Sequence, residues 1–149
     1  MSNSGRILIV EDSEENILFL RQILEDHGFD YVVARNGTEA LAAMEEERPA
    51  LVLLDIMMPR KSGAVVLRRM KTTPELQGIP VIVVTGTAQV TGVDMLTGEE
   101  KDKETYKDDF HREMGKELRE KIFSLEPDGF IDKPIDPMSL VRKIKELIS

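Results

Sequence analysis

Five short apolar runs divide the sequence, and segments whose apolar residues recur at helical spacing separate them. Most of the runs are rich in valine, isoleucine and leucine and all are too short to span a membrane, which suits strands buried on both faces of a sheet. Successive strands joined by helices form a parallel sheet, because a parallel crossover needs a long connection. The alternation therefore predicts an α/β fold, a doubly wound five-stranded parallel sheet with helices on both faces. The predicted strands lie at residues 6–10, 31–34, 50–55, 81–85 and 130–132.

The helical segments carry signals at their ends. Asp12 or Ser13 is suited to cap the first helix and Thr38 the second, since short polar side chains accept hydrogen bonds from the free amides at helix starts. Gly28 is a stop signal after the first helix. Large apolar residues at every fourth position predict a long helix before the last strand. The predicted helices cover about residues 14–27, 38–47, 62–71 and 106–125, and a last helix begins at 136 or 137.

Composition and charge exclude several classes of protein. The chain has 149 residues, which suits one domain, and it contains no cysteine for disulfides or thiolate metal sites. A formal charge of −8 disfavours direct binding to nucleic acid. No apolar stretch reaches the ~20 residues of a membrane span, and the first residues lack the pattern of a signal peptide. We therefore expect a cytoplasmic protein without a nucleic-acid or membrane partner.

Polar side chains stand at the ends of four predicted strands. Glu11 and Asp12 end the first strand, Asp55 the third, Thr85 the fourth and Lys133 the fifth. The carboxyl ends of parallel strands meet at one edge of a sheet, where open α/β folds place their ligands, so these groups are expected to converge. Each also has an ordinary explanation as a turn residue, a helix cap, a strand end or a surface charge. Their joint position favours a shared site.

Three converging carboxylates favour a divalent cation. Without one, the carboxylates would repel one another and raise each other's pKa values. Oxygen ligands with open positions for water suit Mg²⁺. Lys133 and the hydroxyl of Thr85 are able to hold phosphoryl oxygens, and phosphoryl transfer depends mainly on positioning and charge neutralisation. Asp55 is therefore a candidate nucleophile that becomes an aspartyl phosphate.

The same residues resemble the response-regulator receiver domain of two-component signalling. The resemblance covers all five strands, and the set of motifs is specific although each motif alone is weak. It implies a flavodoxin-like strand order 2-1-3-4-5 and a single, stand-alone receiver domain over residues 1–149. Such a domain is a phosphorylation-dependent switch. It is not an enzyme but a phosphoryl acceptor that assists its own phosphorylation and dephosphorylation. The matching segments are LIVED at 8–12, LDIMMP at 54–59 with Gly63, VVTG at 83–86 and DKP at 132–134.

The resemblance also implies the metal ligands and the acceptor. Mg²⁺ would be bound by Glu11 and Asp12, directly or through water, by Asp55 and by the backbone carbonyl of Met57. Asp55 would accept the phosphoryl group from a phosphohistidine of a sensor histidine kinase or a phosphotransfer protein.

The remaining implied roles concern holding the phosphoryl group and reporting it. Thr85 and Lys133 would hold phosphoryl oxygens, and the bond between Lys133 and Pro134 would be cis. On phosphorylation Thr85 would move toward the phosphoryl group and Phe130 would turn inward behind it. An ordinary core role explains Phe130 equally well, and its ring lacks the hydroxyl that a tyrosine would present.

One departure from the family pattern is large. The separation between Thr85 and Lys133 is about twice that of most receiver domains, which places an inserted segment at about residues 88–113. We hypothesise that residues 88–125 form a surface for a downstream protein partner or a homodimer. The alternative is a solvated insertion without a partner.

Two other classes of protein compete with this interpretation. An aspartyl-phosphate hydrolase of the dehalogenase type would have a second carboxylate two residues after the nucleophile, where Met57 stands. A receiver-like interaction module that is never phosphorylated would not need the full set of acidic, threonine and lysine positions.

Overall fold

The computed structural model describes residues 5–56, 58, 62–85, 120 and 122–148, except for the side chains of Ser62 and Thr85. The predicted insertion at 88–113 and most of the predicted helix at 106–125 lie outside these residues. Residues 120 and 122–124 are helical, in agreement with the end of that helix. The strands are β1 (Ile7–Val10), β2 (Tyr31–Ala34), β3 (Leu51–Asp55), β4 (Val81–Thr85) and β5 (Gly129–Asp132). The helices are α1 (Glu14–Asp26), α2 (Gly37–Glu47), α3 (Ser62–Thr72) and α4 (Pro137–Ile148).

The five strands form one parallel sheet in the order β2-β1-β3-β4-β5. Consecutive residues of a strand point to opposite faces, and the central strands are covered on both. Leu8 and Val10 pack with α2 and α3, while Ile7 and Ile9 pack with α1 and α4. All four are fully buried. The predicted doubly wound sheet with helices on both faces is confirmed.

Capping hydrogen bonds at the starts of α1 and α2 fix the two loops that follow β1 and β2. Ser13 caps α1 by accepting a hydrogen bond from the amide of Asn16. The prediction of Thr38 as the cap of α2 is wrong, because Asn36 accepts the hydrogen bond from the amide of Glu39. Glu39 in turn accepts from the Asn36 side chain and from the amide of Arg35. This reciprocal arrangement satisfies several free groups at once, so it outcompetes a single threonine cap.

Within the described residues, no helix is both long enough and apolar enough to cross a membrane.

Candidate functional site

Three carboxylates meet at the carboxyl edge of the sheet, as predicted. The register pairs Val10 of β1 with Leu54 of β3, so Glu11 and Asp55 are the next residues along two neighbouring strands. Asp12 follows Glu11 at the entry to α1. One oxygen from each of the three carboxylates lies within 4.8 Å of the others. Glu11 and Asp55 are only 1% and 5% exposed, whereas Asp12 is open to solvent.

Glu11 is held by two donors on different elements. The Ser13 amide donates to its Oε1 at 3.1 Å, and the Lys133 ammonium donates to its Oε2 at 3.4 Å. Burial nevertheless raises the pKa of Glu11 to about 7, and the hydrogen bond and the negative charge of Asp55 add to this rise. The Ser13 amide and Lys133 oppose the rise only in part. Glu11 is therefore partly protonated near neutral pH in the absence of a metal.

Lys133 supplies a positive charge to the site from the end of β5, which lies beyond β4 in the sheet. It follows β5, and its Nζ lies 3.4 Å from Glu11 and 3.7 Å from Asp55. The side chain is mostly buried. Among the described residues, one ammonium thus faces three carboxylates, and these four groups carry more negative than positive charge when all three carboxylates are ionised. A divalent cation with a preference for oxygen ligands fits this donor set, and Mg²⁺ is such a cation.

The described residues support the remaining sequence predictions only in part. The Thr85 backbone ends β4 opposite Asp132, but its side chain lies outside the described residues, as does Met57. Phe130 is half-buried on β5, and its ring centroid lies 4.5 Å from that of Phe123 at a tilt of 41°. It packs against the core on the α2–α3 side of the sheet. The bond between Lys133 and Pro134 is cis, as the resemblance implied.

Sequence reasoning missed two backbone features of the site. The Ser13 amide was not recognised as a donor to Glu11, and Gly63 was noted only as part of a motif. A Cβ at Gly63 would overlap the carbonyl oxygen of Asp55 and lie 2.7 Å from Cα of Ile56. The available signal was a glycine at the start of a predicted helix, where glycine is a poor helix former.

Fold and site together define a flavodoxin-like α/β domain that carries an acidic, lysine-containing site at its carboxyl edge. Residues 7–102, more than half of the chain, match the family model of the response regulator receiver domain. The chain belongs to this family, whose members act as phosphorylation-dependent signalling switches. Receiver domains bind Mg²⁺ at their acidic site and interact with histidine kinases or phosphotransfer proteins.

Individual relatives agree with this assignment. The polar-differentiation response regulator DivK of Brucella anthropi is 44% identical over 82 residues, which cover 55% of this chain and 67% of DivK. The receiver domain of a signal transduction histidine kinase from Syntrophus aciditrophicus is 30% identical, with a TM-score of 0.70 over 97% of this chain and 89% of that one.

A third relative shares the fold at lower identity. The receiver domain of a sensor histidine kinase from Pseudomonas aeruginosa is 21% identical, with a TM-score of 0.72 over 97% of this chain and 98% of that one. In that protein a magnesium ion is coordinated in the active site cleft.

Proposed function

We propose that Asp55 is the phosphoryl acceptor of this receiver domain and that its phosphorylation requires Mg²⁺. The observation that carries the proposal is the convergence of Glu11, Asp12 and Asp55 within 4.8 Å, with the Lys133 ammonium 3.7 Å from Asp55. A buried carboxylate beside one cation and two further carboxylates has the composition that metal-assisted phosphoryl transfer needs.

The donor would be a phosphohistidine of a sensor histidine kinase or of a phosphotransfer protein. One oxygen of Asp55 attacks phosphorus and forms a new O–P bond as the N–P bond of the phosphohistidine breaks. The imidazole leaves with the electron pair of that bond. It leaves as neutral imidazole when its other ring nitrogen carries a proton, and otherwise it takes a proton from solvent to become neutral. Lys133 stabilises the negative charge on the phosphoryl oxygens during the transfer, because it is already held beside the acceptor.

Glu11, Asp12, Asp55 and the backbone carbonyl of Met57 would hold the metal. Bound Mg²⁺ would neutralise charge on the carboxylates and on the incoming phosphoryl group. The burial of Glu11 and Asp55 supports this assignment, because two buried carboxylates that share the one Lys133 ammonium are costly without further positive charge.

Readout of the phosphorylated state is the second part of the proposal. The Thr85 hydroxyl would bind a phosphoryl oxygen, and Phe130 would change its packing in response. Phe130 already contacts Phe123, which is partly exposed, so a change at one ring would be transmitted to the surface. Signal output then occurs by contact with a downstream partner protein or within a homodimer. The sequence makes residues 88–125 the candidate for this contact surface.

Phosphorylation in solution tests this function. The protein is incubated with a small acyl phosphate and Mg²⁺, and its intact mass is measured. We expect one added phosphoryl group per chain with Mg²⁺ and none when the metal is chelated. Catalytic turnover of phosphate esters would favour a hydrolase instead, and no added mass would favour an interaction module that is not phosphorylated.

Mg²⁺ affinity is expected to depend on pH because Glu11 must lose a proton to bind the metal. The pKa of Glu11 is raised to about 7. The dissociation constant for Mg²⁺ should therefore rise by up to about tenfold per pH unit as the pH falls below 7. Titration calorimetry over this pH range measures the effect. Glu11→Gln should flatten the dependence, whereas Glu15→Gln on the exposed surface of α1 should leave it unchanged.

The same proton affects folding stability with a defined sign. In the metal-free native state Glu11 binds its proton more tightly than in the unfolded chain, where the pKa of Glu11 has its ordinary value of 4.5. Proton binding at Glu11 therefore adds its full contribution to the free energy of unfolding below about pH 4.5. That contribution is lost as the pH rises through about 7. A pH profile of stability that is identical for the wild type and Glu11→Gln would contradict the assignment.

A further inference from the structure

Gly63 lies in direct backbone contact with the residue that we assign as the acceptor. It is the second residue of α3 and is buried. A Cβ built at this position would overlap the Asp55 carbonyl oxygen and lie 2.7 Å from Cα and 3.0 Å from the carbonyl carbon of Ile56. All three neighbours are backbone atoms. They cannot rotate aside as the end of a flexible side chain would.

The peptide between Asp55 and Ile56 is also fixed from the opposite direction. The Ile56 amide donates to the Val84 carbonyl at 3.1 Å, which extends the pairing of β3 with β4 past Asp55. The peptide thus lies between β4 on one side and the start of α3 on the other. Its position sets where the Asp55 backbone ends the strand and where the chain turns toward α3.

Glycine is not needed here for its backbone conformation. The positive-φ glycines of the described residues are Gly5 and Gly28, so alanine fits the backbone conformation of Gly63. Alanine is also favoured over glycine inside a helix. The cost of a side chain at Gly63 is therefore the close approach to the Asp55–Ile56 peptide alone.

We propose that Gly63 is a positioning residue for phosphoryl transfer, an inference that rests on the proposed role of Asp55. Its missing side chain lets α3 begin against the Asp55–Ile56 peptide, which holds the acceptor carboxylate at its place beside Glu11 and Lys133. A methyl group at Gly63 displaces this peptide or the start of α3 by several tenths of an ångström. Displacements of about 1 Å cost roughly a hundredfold in well-oriented reactions, so we expect about a tenfold loss of rate.

The test compares Gly63→Ala with Gly78→Ala and the wild type. Gly78 is a matched control, because a Cβ there meets nothing within 4 Å and its backbone needs no positive φ. For each protein, the rate of phosphorylation by a small acyl phosphate at saturating Mg²⁺ and the dissociation constant for Mg²⁺ are measured well below the melting temperature. A residue with a merely structural role would lower the melting temperature but leave both values unchanged in the folded protein.

We expect Gly63→Ala to be phosphorylated about tenfold more slowly and to bind Mg²⁺ several-fold more weakly, with Gly78→Ala like the wild type. Unchanged rate and affinity in folded Gly63→Ala would overturn the positioning role while leaving the role of Asp55 intact. If the wild type itself is not phosphorylated, the proposed function fails, and the positioning inference with it.

The same variants also distinguish a positioning role of Gly63 from a requirement for folding. If Gly63→Ala is not folded in buffer, the measurements are repeated for all three proteins with a stabilising osmolyte. A loss of rate and Mg²⁺ affinity in the refolded variant supports the inference. A variant that remains unfolded overturns it, because Gly63 would then be a residue required for folding and not for positioning.

Discussion

Asp55→Asn is expected to abolish phosphoryl acceptance completely while making the metal-free protein more stable. Asparagine has nearly the same shape but no anionic oxygen to attack phosphorus. It also removes one of three carboxylates that lie within 4.8 Å of one another, two of them buried. The hydrogen bond and charge of Asp55 contribute to the raised pKa of Glu11, so their loss relieves a conflict in the native state.

We expect the free energy of unfolding without Mg²⁺ to rise by about 1 kcal/mol in Asp55→Asn near pH 8. Denaturant titration measures this change, and intact mass measures phosphorylation. Addition of Mg²⁺ should stabilise the wild type more than the variant, because the variant has lost one metal ligand. Asp30→Asn is the control, since Asp30 is exposed and precedes β2 at the opposite edge of the sheet. A destabilised Asp55→Asn protein, or one that still gains a phosphoryl group, would contradict this description of the site.

Lys133→Met is expected to slow phosphorylation strongly and at the same time to tighten Mg²⁺ binding. The Lys133 ammonium lies 3.7 Å from Asp55, where it stabilises negative charge on the incoming phosphoryl group. Removing one preorganised donor of this kind costs about a hundredfold or more in rate. The same ammonium competes with the metal for Glu11 and Asp55, so its loss leaves a more negative site that attracts Mg²⁺ more strongly.

The opposite signs of these two effects distinguish a direct electrostatic role of Lys133 from general damage to the fold. A misfolded site would lose both phosphorylation and Mg²⁺ affinity. Without metal, Lys133→Met should also be destabilised by about 3 kcal/mol near pH 8, because two buried carboxylates lose their cation. Stopped-flow kinetics and calorimetry measure the rate and the affinity. Lys145→Met, on the exposed surface of α4, is the control and should change neither value.

Much of the fold could be predicted because the strands have a distinctive apolar sequence pattern. Residues such as Leu8 and Leu53 lie in continuous apolar runs that are typical of parallel strands covered on both faces, and the structure buries them on opposite faces. The boundary of α2 was missed because Thr38 also has the chemistry of a cap. Only the reciprocal bonds of Asn36 and Glu39 decide between the two residues.

The residues of the candidate site could be predicted from the sequence, but the electrostatic interactions among them could not. Strand ends brought Glu11, Asp55 and Lys133 together, yet the raised pKa of Glu11 depends on burial and on a short distance to Asp55 that spacing does not encode. The contact of Gly63 with the Asp55 backbone likewise depends on how the chain turns after β3. A contact of this kind is made by backbone atoms, and the residue types alone say little about where those atoms lie.

The most direct test of the account is the chemical identification of the phosphorylated residue. The protein is treated with Mg²⁺ and a small acyl phosphate and then reduced with borohydride, which converts an aspartyl phosphate to homoserine. Peptide sequencing by mass spectrometry locates the converted residue. We predict homoserine at position 55, in a peptide from the end of β3, only when both the donor and Mg²⁺ are present. Homoserine in place of Asp12, the longer-chain alcohol in place of Glu11, or no conversion at any residue would contradict the assignment of Asp55 as the acceptor.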